Sequence, residues 1–362
     1  MAAGFAQWGN DLYTGRRSYD IVGRRRLWFT ISAVLVVLSG ILLVKPGLNP
    51  GIEFRGGSEF VVSGITDRSQ QLAIDTVQSI APDEAPKVSD LGANSLRIQT
   101  SELDRAESEE VAAALADAFQ VAPNQVTTQF IGPTWGADVS QKAITGIVVF
   151  LLFVTVVMTL YFRNWRFALA ALIALFHDLL ITVGVYAAVG WEVTPSTVIG
   201  FLTILGYSIY DTVVVFDKVR ENTADVLDQS RHTYAERANL AVNQTLVRSI
   251  NTSVVALLPV GAILFVGAFV LGAGTLRDIS LALFVGMLVG TFSSIFLATP
   301  LEVWLREREP KVAAHTAKVL RARRSSGEEG APVLAHAATV GATVPGSHQG
   351  TAAQPRRRRT KR

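Results

Sequence analysis

Asp211 is a carboxylic acid set inside Val198 to Phe216 (VIGFLTILGYSIYDTVVVF), a run long and apolar enough to cross a bilayer. A carboxylate at bilayer depth costs about 3 kcal/mol on insertion scales, so its side chain must face protein or water. A carboxylate placed this way can bind or relay an ion, and a proton is the cheapest ion for it to carry. The competing role is a structural hydrogen bond between helices. Asp178 lies deeper, near the middle of the run 167–190, and carries the same two alternatives. His177 precedes it and has the intrinsic titration range of a relay. Neighbours on a helix point about 100° apart, so the two are not expected to share a partner. With no carboxylate placed to take its proton along a path, His177 reads better as a satisfied interhelical side chain.

The chain that must position these groups is 49% apolar and 17% charged, with its charges bunched between long apolar runs. That composition marks an integral membrane protein. There is no cysteine, hence no disulfide framework and no thiolate chemistry. The net charge of +3 does not argue for nucleic acid, because the basic residues follow membrane topology instead of one face. Six runs can span, at 27–44, 142–162, 167–190, 196–217, 250–271 and 277–300. Arg24 to Arg26 before the first could mark a signal peptide, but its apolar run passes into Lys45-Pro46 without a cleavage site. With simple alternation, Arg16, Arg17, Arg24 to Arg26, Arg163, Arg166, Lys218 to Arg248, Arg306 and Arg308 share one side. The positive-inside rule makes that side cytoplasmic, with both termini, and puts segment 45–140 outside.

Segment 45–140 is too long and polar for a loop. Gly57 to Ser63 alternates as a strand, and Ser69 to Ile80 has helical spacing. Lys87 to Leu91 and Ser95 to Thr100 read as a hairpin about Gly92-Ala93-Asn94, Glu102 to Phe119 as a helix and Gln125 to Ile131 as a last strand. The order β-α-β-β-α-β predicts a ferredoxin-like domain inserted into an all-α bundle of six transmembrane helices. No metal cluster or nucleophile arrangement stands in it, so binding or mechanics suits it better than catalysis. Residues 1–26 form a cytoplasmic lead and 218–249 a cytoplasmic loop inside the bundle 142–300. Residues 301–362 are cytoplasmic and turn beyond Pro310 to Ala, Gly, Ser, Pro and Arg, which predicts a disordered tail. Its closing PRRRRTKR would be solvated, or would touch anionic lipid.

Four motifs stand together in order: GIEFRGGSEF (Gly51 to Phe60), FHD (Phe176 to Asp178), GYSIYDTVVVFDKVREN (Gly206 to Asn222) and NQTLVRSINTS (Asn243 to Ser253). With the opening YTGRRSYDIVGRRR they resemble the SecF family of the bacterial SecDF translocase, in its actinobacterial form, over roughly residues 10–305. The resemblance implies a resistance-nodulation-division type of protein paired with a SecD homologue at the channel subunits SecY, SecE and SecG. Such a pair pulls secreted preproteins outward by inward proton flow, with no cofactor beyond the proton gradient and no enzymatic reaction. It assigns the proton-responsive acid to Asp211 and an essential arginine to Arg248. Two residues depart from the family pattern: Tyr210 replaces an asparagine, and Glu53 replaces an aspartate. At about 1.5 Å per residue, Asp211, four residues before an expected bend at Phe216-Asp217, and Arg248, at the start of the fifth run, lie at one depth and can meet. A guanidinium favours the ionised acid and burial the protonated one, which makes such an acid switchable. The alternative for Arg248 is a snorkelling interfacial arginine.

Around the outer motif, Gly51, Gly56 and Gly57 read as backbone freedom at φ > 0 for a tight turn into the domain, flanking Glu53 and Phe54. Ala282, Gly286, Gly290 and Ser294 recur every four residues, so the sixth run should pack closely on a helix of this chain or of SecD. Pro259 and Gly261 could bend the fifth, and Tyr234 to Leu246 should lie as an amphipathic stretch at the inner surface. Three functions compete: a proton-driven accessory of protein export, a half-size efflux permease for drugs or lipids, and a non-energised scaffold. A single small outer domain disfavours the permease. No G-x-x-x-x-G-K-[ST] loop supports an ATPase.

Overall fold

The computed structural model describes residues 2–91, 94–270 and 274–325. Its helices are α1 (Ala2–Tyr13), α2 (Arg25–Leu42), α3 (Ile52–Arg55), α4 (Gln70–Ile80), α5 (Arg105–Ala118), α6 (Pro133–Phe162), α7 (Trp165–Val189), α8 (Pro195–Thr223), α9 (Tyr234–Ala262), α10 (Gly274–Ser293), α11 (Thr299–Arg306) and α12 (Pro310–Ser325). Its strands are β1 (Asn49–Pro50), β2 (Gly57–Ser63), β3 (Lys87–Asp90), β4 (Ser95–Thr100), β5 (Val126–Ile131) and β6 (Glu192–Val193). Six of the helices, α2 and α6 to α10, are long and apolar enough to cross a membrane. Helices α7, α8 and α10 bury about half of their apolar windows (56%, 44% and 56%), whereas α2, α6 and α9 bury 11%, 6% and 17%. The first three therefore form the centre of the bundle, and the buried aspartates Asp178, Asp211 and Asp278 belong to them.

The β-rich unit lies between α2 and α6. Its sheet is antiparallel in the order β3-β4-β2-β5, with α4 and α5 on one face. Alternation selects that face: Phe60 and Val62 of β2 and Leu96 and Ile98 of β4 are fully buried against Ala73, Val77, Val111 and Leu115. Ser69 caps α4 by accepting from Leu72 N, and Asp104 with Glu107 forms a capping box on α5. The paired strands β3 and β4 bear out the expected hairpin, although Gly92 and Ala93 of its turn lie outside the described residues. The other sheet face carries Glu59, Arg97 and Gln99 toward the α7–α8 connection.

On the opposite side of the bundle, where α1 and α12 lie, the structure corrects three expectations. Helix α8 runs to Thr223 with no bend at Phe216-Asp217, because Phe216 and Val219 are fully buried on helical spacing and no breaker intervenes. Tyr234 to Leu246 is no separate surface helix. It is the first half of α9, and Tyr234, Ala238 and Ala241 pack with Phe216, Val219 and Val303. The expected disorder from Pro310 does not hold for Pro310–Ser325, which is helical. Helix α12 buries Val312, His315 and Val319, spaced three and four apart. His315 Nε2 donates to the Gln229 carbonyl at 2.6 Å, and Arg323 holds Glu236 at 2.6 Å. An Ala- and Arg-rich composition hid that spacing. Residues 326–362, including PRRRRTKR, lie outside the described residues.

Candidate functional site

Two aspartates are buried inside the bundle on adjacent serines, and among the described residues neither pairs with an arginine or lysine. Asp178 of α7 is fully buried, and Asp211 of α8 is 3% exposed. Asp178 Oδ2 accepts from Ser208 Oγ of α8 at 2.5 Å and from Ser293 Oγ of α10 at 2.7 Å. Asp211 Oδ1 accepts from Ser249 Oγ of α9 at 2.9 Å, and its Oδ2 from Ser294 Oγ at 2.6 Å. Ser293 ends α10 and Ser294 begins a π-helical segment, Ser294–Ala298. Consecutive residues diverge in direction, so one step of α10 serves both acids. π-Helical insertions of this kind recur at functional sites.

Small residues permit the approach. A Cβ at Gly286 would collide with the Ile204 side chain, one at Gly290 would come within 3.1 Å of Ser208 Cβ, and one at Gly200 within 2.7 Å of Ala282 Cβ. The expected groove of α10 thus packs on α8 of the same chain, and its last member, Ser294, is a ligand of Asp211.

Arg248 is not there. It is exposed and lines an open groove of about 890 Å³ with Tyr13, Asp217, Lys218 and Gln244. No ion pair joins it to Asp211 among the described residues. The physical reason is one residue of rotation: Ser249 takes the inward position of α9, which turns Arg248 away by about 100°. His177 also departs from expectation. Its Nδ1 lies 3.0 Å from Asp178 Oδ1, because the aspartate side chain folds back toward its neighbour, and its Nε2 is buried without a partner. Tyr210 is 52% exposed and points away from Asp211.

The side nearest the termini is closed by the N-terminal segment. Asn243 Oδ1 accepts from Tyr19 N at 2.7 Å, and Asn239 Oδ1 from Ile21 N and Val22 N at 2.9 and 3.0 Å. These bonds seat Leu12 and Ile21 against Val215, Leu246 and Ile295, each within four residues of a member of the Asp211 cluster.

At the other end, the Gly51 to Gly57 turn joins the β-rich unit to the bundle. Gly56 and Gly57 have the expected positive φ of 83° and 136°. Gly51 does not, at φ −65°. It is needed instead for close approach, since its N–H donates to Val193 O at 2.8 Å and a Cβ would press on the Glu53 carboxylate and, at 3.1 Å, on Glu192. Phe54 packs beside Tyr186 and Phe201. Glu53 Oε2 is buried without a partner, and burial, helped by the charges of Glu192 and Glu59, raises the Glu53 pKa above its ordinary value. Arg97 binds Glu192 at 2.9 Å and approaches Glu59 at 3.6 Å, and Gln99 donates to Glu192 at 2.5 Å and to Glu59 at 3.0 Å. Two residues on, Thr194 caps α8 and donates to Asp278 of α10 at 3.0 Å. The β-rich unit is therefore tied to the ends of the two helices that hold Asp211 and its serine.

Sequence reasoning missed Ser208, Ser249, Ser293, Arg97, Glu192, Asn239 and Asn243 as site residues. Ser208, Asn243 and Ser249 did lie within the quoted motifs, and Ser294 was the fourth small residue of the series on the sixth run. Among the described residues no cluster of three or more His, Asp or Glu could hold a metal.

The chain is similar to known proteins over most of its length. A family model described as protein export membrane protein SecD/SecF, C-terminal, matches residues 110–308, and one described as SecD/SecF GG motif matches residues 41–63. Protein translocase subunit SecF of Streptomyces coelicolor is 45% identical over 325 residues, 89% of this chain and 86% of that one. The Mycobacterium tuberculosis SecF is 41% identical over 330 residues, 88% and 74% of the two chains. The crystal structure of SecDF, a translocon-associated membrane protein from Thermus thermophilus, superposes with a TM-score of 0.69 at 29% identity. That match covers 81% of this chain and 39% of the longer SecDF chain.

Proposed function

The chain belongs to the SecF family of protein-export membrane proteins, and from that premise we propose that it acts with a SecD homologue at the Sec channel (SecY, SecE and SecG) to draw secreted preproteins outward by inward proton flow. In this reading residues 45–140 form a ferredoxin-like domain outside the membrane, and the basic side with both termini is cytoplasmic, as the arginine distribution favours. The protein has no enzymatic step of its own.

The observation that carries the proposal is the pair of buried aspartates held by adjacent serines, Ser293 on Asp178 and Ser294 on Asp211. A serine hydroxyl donates and accepts, so it can hold a carboxylate in either protonation state by rotating. Ionised Asp211 accepts from Ser249 and Ser294. Protonated on one oxygen, it donates to the serine there and accepts from the other through a neutral, weaker hydrogen bond, so the hold on the two serines changes. Asp178, with His177 beside it, is the second relay carboxylate, one α10 residue away. Arg248 stands at the cytoplasmic groove one residue before Ser249, where it would meet the leaving proton instead of clamping the acid. A change in the hold on α10 is passed outward through Thr194–Asp278 and Glu192–Arg97, because α8 and α10 touch through small residues that let helices shift as units.

The test is a reconstituted export assay with an imposed pH gradient. Asp211→Asn keeps the size and, with one serine rotated to accept from the amide NH2, much of the hydrogen bonding of the side chain, and removes its titration. The complex should assemble, and gradient-driven stimulation should fall to the level seen without a gradient. A variant that answers the gradient as well as the parent would leave the aspartate structural and make the chain a scaffold.

A further inference from the structure

The two edges of the β sheet are treated differently. Strand β3, at one edge, has four residues and carries Lys87 and Asp90. Short length and charge are the usual protection of an exposed edge against pairing. Strand β5, at the other edge, is six residues of Val-Thr-Thr-Gln-Phe-Ile with no charge, no proline and high strand propensity. Thr127 to Phe130 are exposed, and Phe130 is 53% exposed. Among the described residues β5 pairs only with β2, so its outer row of backbone N–H and C=O groups has no strand partner. Such an edge is a template for another chain.

Beside it runs a groove of about 1050 Å³ between β5 and α5, with Leu103, Ala112, Thr128 and Phe130 on its walls. The same wall carries Glu102, Asp104, Glu107 and Glu109, against one cation, Arg105, which already pairs with Glu109 at 3.1 Å. We propose that β5 and this groove receive an extended, basic or apolar segment of an unfolded polypeptide as a fifth strand of the sheet. The proposal rests on the export reading above, in which this unit faces the emerging chain. Backbone pairing along an edge reads no sequence, which suits a device that must hold many different substrates. The side chains of the added strand alternate, so every second one enters the groove under α5. Small walls at Ala112 and Ala113 accept varied residues, and the acidic rim selects basic over acidic segments.

The chain is free of cysteine, so one engineered thiol gives a clean probe. Thr128→Cys carrying a benzophenone maleimide, in the full chain with its SecD partner and the channel in vesicles, is irradiated with a secretory preprotein stalled in translocation. Ser89→Cys on β3 is the control edge, and Ala113→Cys is a second groove position should Thr128→Cys fail to fold. The expected result is a preprotein adduct at the β5 position at least five-fold above β3, falling several-fold when Ala113→Trp fills the groove or when the stalled stretch is made acidic. Equal yields at both edges, or an adduct only with the partner subunit, would overturn the proposal. Gradient-driven export is measured in the same vesicles. Export without an adduct defeats the groove proposal alone, whereas loss of both in the otherwise unmodified chain defeats the export reading with it.

Discussion

Two clusters of sequestered carboxylates stand at different levels of this molecule, and they are held in opposite ways. Asp178 and Asp211, among α7, α8, α9 and α10, are bound by four serine hydroxyls and, at Asp178, by the His177 ring, with no arginine or lysine among the described residues. Glu59 and Glu192, where the β-rich unit meets the bundle, are bound by Arg97 and Gln99. A guanidinium cannot give up its charge in a protein, so it clamps a carboxylate in the ionised state. A hydroxyl imposes no such choice. In the function proposed above, that difference would assign proton exchange to the first cluster and mechanical coupling to the second.

The sharpest way to break this comparison is to neutralise one charged group at each site, the acid Asp211 and the guanidinium of Arg97. Asp211→Asn should abolish gradient-driven stimulation and leave the melting midpoint in detergent within a few degrees of the parent. Arg97→Met should do the reverse first. It leaves Glu59 and Glu192 partly buried and facing each other, and removing one partner of such a set costs about 3 kcal/mol. The melting midpoint should drop, and protease should cut between the β-rich unit and α6 before it cuts the bundle. If Arg97→Met melts with the parent, the junction is not a clamp and the contrast between the two clusters fails.

A smaller effect should come from Ser294→Ala. Asp211 would keep the Ser249 hydroxyl but lose one donor, at a cost of about 1–2 kcal/mol for an under-satisfied buried acceptor. Stimulation by the gradient should fall several-fold without vanishing, and Ser293→Ala should mimic it only if Asp178 belongs to the same relay. A gradient response unchanged in both variants would mean that the hydroxyls merely pack.

How much of this was visible beforehand depends on range. Strands β2 and β4 follow from alternation alone, to the residue, because period-two burial needs only neighbours along the chain. Helix α5, expected from Glu102, starts instead at Arg105, behind the capping box of Asp104 and Glu107. Helix ends beyond the apolar runs were lost, since α8, α9 and α12 continue through polar residues that are buried only by tertiary packing. In the site, Asp178 and Asp211 are legible because an acid in an apolar run is conspicuous. Their serines are not, for serine is common and its facing depends on the register between helices. Arg97 and Glu192 lie 95 residues apart and acquire meaning only in contact. The pairing of Asp211 with Arg248 was expected from depth, which fixes height along a helix but not rotation about it.

The finest test of the clamp lies at Glu53, which shares the junction but has no cation bound to it. Its carboxyl is buried with one oxygen unpartnered, and burial raises its pKa above the ordinary 4.5. The folded state therefore binds this proton more tightly than the unfolded one. That stability is present in full below about pH 4 and is lost as the pH rises through the elevated folded value. Glu53→Gln carries no titrating proton and keeps the shape of the protonated acid. The variant should melt like the parent near pH 4 and a degree or two higher at pH 7 to 8, the gap opening as Glu53 ionises in the parent. Parallel melting curves across that range would mean that Glu53 finds solvent or a counter-ion, and that the junction holds its uncapped acid as securely as the two that Arg97 clamps.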